Sequence, residues 1–148
     1  MNDRFRFRFW NKKENKYITE YERHDKEYGG ELYLSSKGYI VNFYEEYAEE
    51  YYIDYDFNSA DIIAEQCTGI KDKNGKLIYE GDIIKAFLPY GKETDTIKFP
   101  VCYKNGAFGN NFLNFFGPLA NFSSRVKYEV LGNIHENPNL ADEGYYYL

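Results

Sequence analysis

Six carboxylates and no base fall between Phe43 and Phe57: Glu45, Glu46, Glu49, Glu50, Asp54 and Asp56. Acids this close together could supply a general acid–base pair or hold a divalent cation. A calcium loop needs a glycine at its sharp turn, however, and this run has none. A solvated acidic face is the plainer account. Cys67 and Cys102 could bind metal only with clustered partners, and His24 and His135, the two histidines of the chain, lie far from both. The expectation is a pair of reduced, buried thiols with no metal and no cofactor. A Gly-x-Ser-x-Gly elbow, a phosphate-cradling glycine loop and a His-Glu-x-x-His helix are all missing from the sequence. The chain is not expected to be an enzyme.

Around the corner Gly81, Glu80 and Asp82 invite assignment to a site, as do Asp72 and Asn74 beside Gly75. Short acids and amides next to glycine more often bind neighbouring backbone N–H groups and shape turns. Asp72, Asn74, Gly75, Gly81 and Asp82 are therefore assigned to turns and corners. What remains is binding chemistry. Phe112, Phe115, Phe116 and Phe122, with Tyr145, Tyr146 and Tyr147 in the tail, form a candidate aromatic interface, since rings concentrate binding energy. The acidic ribbon is the candidate for a basic partner surface, as in a nucleic-acid mimic. Basic residues cluster at Arg4–Arg8, at Lys12, Lys13 and Lys16, and at Lys71, Lys73 and Lys76; they leave single-stranded nucleic acid as a third, less favoured partner.

These residues sit on a chain whose composition favours strands. It has 148 residues, 17 Tyr and 12 Phe among them, and a mean hydropathy of −0.70. No apolar run approaches the roughly 20 residues of a membrane span, and no signal-peptide core follows the N-terminus. A cytoplasmic protein is expected. The net charge of −6 is uneven: residues 1–65 hold 15 acids and 9 bases, while residues 66–148 hold 9 of each. That asymmetry argues against a general nucleic-acid surface and sets an acidic, aromatic-rich region (1–65) beside a neutral one (66–148).

The second region is organised by the stretch from Gln66 to Lys85. Asn74-Gly75 predicts a type I′ hairpin turn, with both residues at positive φ, between Cys67–Ile70 and Leu77–Tyr79. Gly81-Asp82 then launches Ile83-Ile84 into a core strand. Thr96–Tyr103 reads as a strand whose Pro100 marks an edge or a bulge. Asn105-Gly106 repeats the turn signal, residues 109–124 read as a loop, and Lys127–Leu131 reads as the last strand. Pro138 opens a short terminal helix. In the first region, Arg4–Trp10 alternates as a strand, and Asn11–Asn15 turns the chain back. Tyr21–Gly30 is a loop, and Glu31–Leu34 pairs with Tyr39–Phe43. Residues 43–57 predict a helical turn followed by a strand, and Ala60–Glu65 a brief turn.

Gln66-Cys67-Thr68-Gly69-Ile70-Lys71-Asp72-Lys73-Asn74-Gly75-Lys76-Leu77-Ile78-Tyr79-Glu80-Gly81-Asp82-Ile83-Ile84 resembles the central signature of the YopX family of phage and prophage proteins. Arg8-Phe9-Trp10 is similar to its opening strand, and Tyr128–Pro138 to its closing segment. Cys67 departs from the pattern, standing where an aromatic is usual, and Tyr17–Phe57 has its own composition. The resemblance implies a setting, a phage or prophage within a bacterial host cell, and no particular activity. The fold expected is mainly β with little helix: a bent antiparallel sheet or partial barrel, plus an additional N-terminal β region. The function expected is a non-enzymatic module for protein partners, among them a second copy of the chain.

Overall fold

In a computed structural model of the chain, the residues described are 6–18, 31–34, 40–46, 50–53, 61–87, 96–112, 115–119 and 126–142. The fold is mainly β, with a strongly curled antiparallel sheet that forms a half-barrel. The chain divides into two compact units, Met1–Phe7 with Glu65–Leu148, and Arg8–Ala64.

In the smaller unit, β1 (Phe7–Asn11, all but its first residue) and β2 (Lys16–Tyr17) form a hairpin. Its turn is the one expected: Asn11 Oδ1 accepts the N–H groups of Lys13 and Glu14 at 3.0 and 3.1 Å, and Asn15 takes a φ of 55°. Phe9 and Trp10 are both buried, Trp10 meets Tyr17 edge-on, and the Arg8 guanidinium lies 4.6 Å over the Tyr17 ring. Strands β3 (Glu31–Leu34), β4 (Ile40–Glu46) and β5 (Glu50–Ile53) make an antiparallel sheet in that order. The helical turn predicted after Phe43 is not formed. Tyr44, Glu45 and Glu46 continue β4 and pair with Tyr52, Tyr51 and Glu50. Tyrosine suits a pleated surface, and the ladder with β5 outweighs a helical spacing.

The larger unit holds β6 (Ile62–Lys71), β7 (Leu77–Tyr79), β8 (Asp82–Phe87), β9 (Thr96–Pro100), β10 (Cys102–Lys104), β11 (Ala107–Phe112), β12 (Phe115–Pro118), β13 (Lys127–Asn133) and the helix α1 (Pro138–Asp142); β6 begins in the smaller one. Ile62–Glu65 is strand, not the predicted turn. The 109–124 loop is also corrected: β11 and β12 pair from Gly109↔Pro118 to Phe112↔Phe115. Asn110 Oδ1 accepts the Gly117 N–H at 3.2 Å and lies where a Cβ on residue 117 would stand, so the glycine admits the pairing. Thr96–Tyr103 is broken into β9 and β10 at Val101, and Pro100 ends β9, an edge strand of the sheet β13-β8-β9. On one face of that sheet Ile84, Ala86, Phe99 and Tyr128 join Ile78, Val101 and Leu119 in the core.

The two Asn-Gly turns differ. Asn105 and Gly106 both have positive φ, 54° and 80°, and Lys104 pairs with Ala107, which is the two-residue geometry predicted at 74–75. At 74–75 only Gly75 has positive φ, and the loop is wider, closed by Lys71↔Leu77. The cause is Asp72. Its Oδ1 accepts the N–H groups of Asn74 and Lys76 at 2.8 and 2.9 Å, and its carbonyl accepts that of Gly75 at 3.0 Å. The other oxygen, Oδ2, accepts the Val130 N–H at 3.2 Å, while the Lys73 N–H donates to Tyr128 O at 2.8 Å. The tip of the β6–β7 hairpin is thereby bonded to the outward backbone edge of β13. Lys73 adds an ion pair with Glu129, 2.9 Å.

Burial pushes the Asp72 carboxyl up, but the N–H groups of Lys76, Val130 and Asn74, with the Lys76 charge, outweigh it and hold the group below its ordinary value. A folded-state value below the unfolded one stabilises the fold above the unfolded carboxylate range and is lost as pH falls through the folded value. Asp72→Ala should cost about 3 kcal/mol at pH 7, since it strands several backbone donors. Asp72→Asn, which turns an amide NH2 toward one set of donors, should also destabilise. In urea unfolding, the gap between wild type and Asp72→Asn should narrow below about pH 4.

Candidate functional site

The sequence places Gly81-Asp82 at a corner, and the structure brings Glu65 and His135 against it, with Glu80 and Cys102 beside them. Gly81 has a φ of 79°, its N–H donates to Val101 O at 2.9 Å, and its carbonyl accepts the Ile134 N–H at 2.9 Å. Asp82, 1% exposed, accepts the Tyr79 N–H on Oδ2 at 2.9 Å, and its carbonyl accepts the Val101 N–H at 2.8 Å. One corner thus holds the ends of β7, β8, β9 and β13 together.

Against this corner lies Glu65 from β6. Its side chain is 3% exposed, and its Oε1 lies 2.9 Å from His135 Nε2. A Cβ on residue 81 would overlap that same oxygen, so the carboxylate occupies the space that glycine leaves. His135 is held by the turn after β13. Asn133 Oδ1 accepts the N–H groups of His135 and Glu136 at 3.0 and 2.9 Å, and Asn137 Oδ1 accepts that of Asn133 at 3.2 Å. Pro138 then starts α1, as predicted. Burial pushes the Glu80 carboxyl up, and the charge of Glu65 adds to it against the N–H groups of Tyr103 and Gln66. Burial, with the Glu80 charge behind it, also pushes up the thiol of Cys102.

A carboxylate–imidazole pair has the form of a general base with its orienting acid. Here Glu65 also touches the backbone of a corner, and the Cys102 thiol is driven away from the nucleophilic thiolate. Among the described residues no group of three or more His, Cys, Asp and Glu side chains could hold a metal ion. Both cysteines are free thiols; Cys67 is buried as expected, whereas Cys102, on a strand beside a hairpin tip, is only half-buried.

Of the acidic ribbon, Glu45, Glu46 and Glu50 lie on β4 and β5, with Glu46 opposite Glu50. Glu49, Asp54 and Asp56 lie outside the described residues, as do Phe122, Tyr145, Tyr146 and Tyr147. Phe112 and Phe115 are directly opposed at the end of β11–β12, and Phe116 is opposite Asn111, on the other face. Strand alternation puts Phe108 on the face of Phe112 and Phe115, and Tyr103 is paired with Phe108, ring centroids 5.0 Å apart. Tyr103 is 51% exposed, the most exposed of the large hydrophobic side chains described. Asp72, Asn74, Gly75, Gly81 and Asp82 stand at the turns and corners already described.

Two features escape sequence reasoning. Glu65 and His135 meet across 70 residues, and no spacing rule links them. Tyr103 was legible only as a strand residue; its place beside an Asn-Gly turn is the signal that exposes it.

A family model described as YopX protein matches residues 6–142. The chain is similar to protein EF1440 from Enterococcus faecalis, whose crystal structure has a TM-score of 0.54 and 24% identity, covering 90% of this chain and 95% of that one. It is also similar to protein yopX from Bacillus subtilis, with a TM-score of 0.58 and 19% identity, covering 95% and 98%. At these identities the likeness is one of fold. No curated protein gives a match.

Gly106→Ala meets open space and should cost only the left-handed backbone penalty, about 1–2 kcal/mol. Gly81→Ala adds displacement of Glu65 from His135 and should cost about 3 kcal/mol or more. Glu65→Ala opens that space, so the cost of Gly81→Ala should shrink by about 1 kcal/mol in a double-mutant cycle read by urea unfolding.

Proposed function

The chain belongs to the YopX protein family, and on that premise we propose that it is a phage or prophage accessory protein that acts in the bacterial cytoplasm as a non-enzymatic protein-interaction module. The observation that carries this reading is the ring pair beside the Asn105-Gly106 turn: Tyr103 is paired with Phe108, ring centroids 5.0 Å apart, and Tyr103 is half exposed. An aromatic side chain has few rotatable bonds to fix on docking and buries much area for its size. The acids that might have done chemistry at the Gly81 corner are engaged with backbone and with His135. No helix among the described residues is long and apolar enough to cross a membrane. A second copy of the chain is the simplest partner. Light scattering at about 50 μM, near which contacts of modest size begin to populate, should give a mass above the 17.6 kDa of one chain. Tyr103→Ser should return it to one chain without moving the urea midpoint. A strict monomer at that concentration, with no protein partner captured through Tyr103, would sink the proposal.

A second reading concerns the acidic ribbon. β4 and β5 set Glu46 directly opposite Glu50, a like-charge pairing that weakens a sheet. Such a pairing suits a surface that competes for a basic cleft on a host protein. Changing Glu45, Glu46, Glu49 and Glu50 to Gln should then abolish capture of a basic partner and its salt sensitivity. Undiminished capture at low salt would count against it.

A further inference from the structure

We infer that the chain carries a second binding surface, for single-stranded nucleic acid, where the β6–β7 hairpin tip meets the outer face of β8 and β13. The sequence scatters five lysines over this part of the chain, and the fold draws them together. Lys127 is paired across the ladder with Phe87, and Glu129 with Lys85; these side chains share the face opposite the core residues Ile84, Ala86 and Tyr128. Lys73 is brought to the same place by its backbone bond to Tyr128. Its ammonium lies 4.9 Å from the centre of the Phe87 ring, and that of Lys85 lies 5.6 Å from it. Lys71 and Lys76 flank Lys73 on the tip; all three, with Lys127, are exposed.

Among the described residues two carboxylates lie beside these five lysines: Asp72, which is bonded to the backbone N–H groups of Asn74, Lys76 and Val130, and Glu129, which is paired with Lys73. The patch is positive on a chain whose net charge is −6. Charges more than about 8–10 Å away are screened at physiological salt, so the local sign decides what docks. Neighbouring strands stand about 5 Å apart and alternate residues about 7 Å, which spaces the ammonium groups for a run of phosphates. An aromatic ring in their midst is what single-stranded nucleic-acid platforms add to a basic groove. An acidic polypeptide would use the lysines and leave the ring idle.

The test is fluorescence anisotropy of a labelled 20-residue oligothymidylate at 50 mM salt. Binding should be in the micromolar range, with a log–log salt slope of about −2 to −3, as expected for three or four phosphates at roughly 0.7 each. Lys85→Gln with Lys127→Gln should weaken it at least about tenfold, one lost phosphate contact being worth several-fold. Glu129→Gln, which removes one opposing charge, should tighten it about two- to threefold. Lys104→Gln, at the other Asn-Gly turn, should leave it unchanged. Absence of binding at 50 mM salt, equal loss in Lys104→Gln, or weaker binding in Glu129→Gln would overturn the inference. So would polyglutamate of the same length binding more tightly than the oligonucleotide.

Discussion

A single carboxylate, that of Asp72, joins two parts of the larger unit that have no covalent reason to meet. A hairpin tip has N–H groups without partners, and the edge strand β13 has an outward row of them. Asp72 serves both: one oxygen closes the turn on Asn74 and Lys76, and the other takes the Val130 N–H. A neutral side chain could do half of this. The ionised form does all of it because each bond is charge-assisted. The strand edge is covered, the sheet keeps its curl, and Ile78, Ile84 and Phe99 are brought to one core. The same docking carries Lys73 to Glu129 and Phe87. A structural carboxylate therefore builds the basic surface beside it.

The Gly81 corner repeats the logic at the other end of the hairpin. Its glycine is required twice, by a positive φ and by the closeness of Glu65. Glu65, Asp82 and His135 have the residue types of a catalytic group, yet Asp82 accepts a backbone N–H and Glu65 and His135 meet each other. Burial pushes both Glu80 and Cys102 toward their neutral forms at this joint. On the outside of the sheets, Tyr103 stands exposed at one hairpin tip and Lys71, Lys73 and Lys76 at another.

Local chemistry by itself determined the β class, the strands around the central hairpin, Pro100 on an edge, the Asn11–Asn15 turn and Pro138 at a helix start. Each depends on φ restrictions or alternation within a few residues, which a sequence states openly. It also marked both Asn-Gly tips, but not which would be tight: Asn105-Gly106 is, whereas Asp72 recruits Lys76 and Val130 and widens the other. Tyr44, Tyr47 and Tyr51 recur at helical spacing and so misled, while the pairing that makes Tyr44–Glu46 strand lies on β5. Only tertiary structure decided that Glu65 meets His135, that Tyr103 faces water, and that Lys73, Lys85 and Lys127 converge on Phe87. Those outcomes are set by register between strands tens of residues apart, and no local preference encodes register; it follows from burying one face of every strand at once.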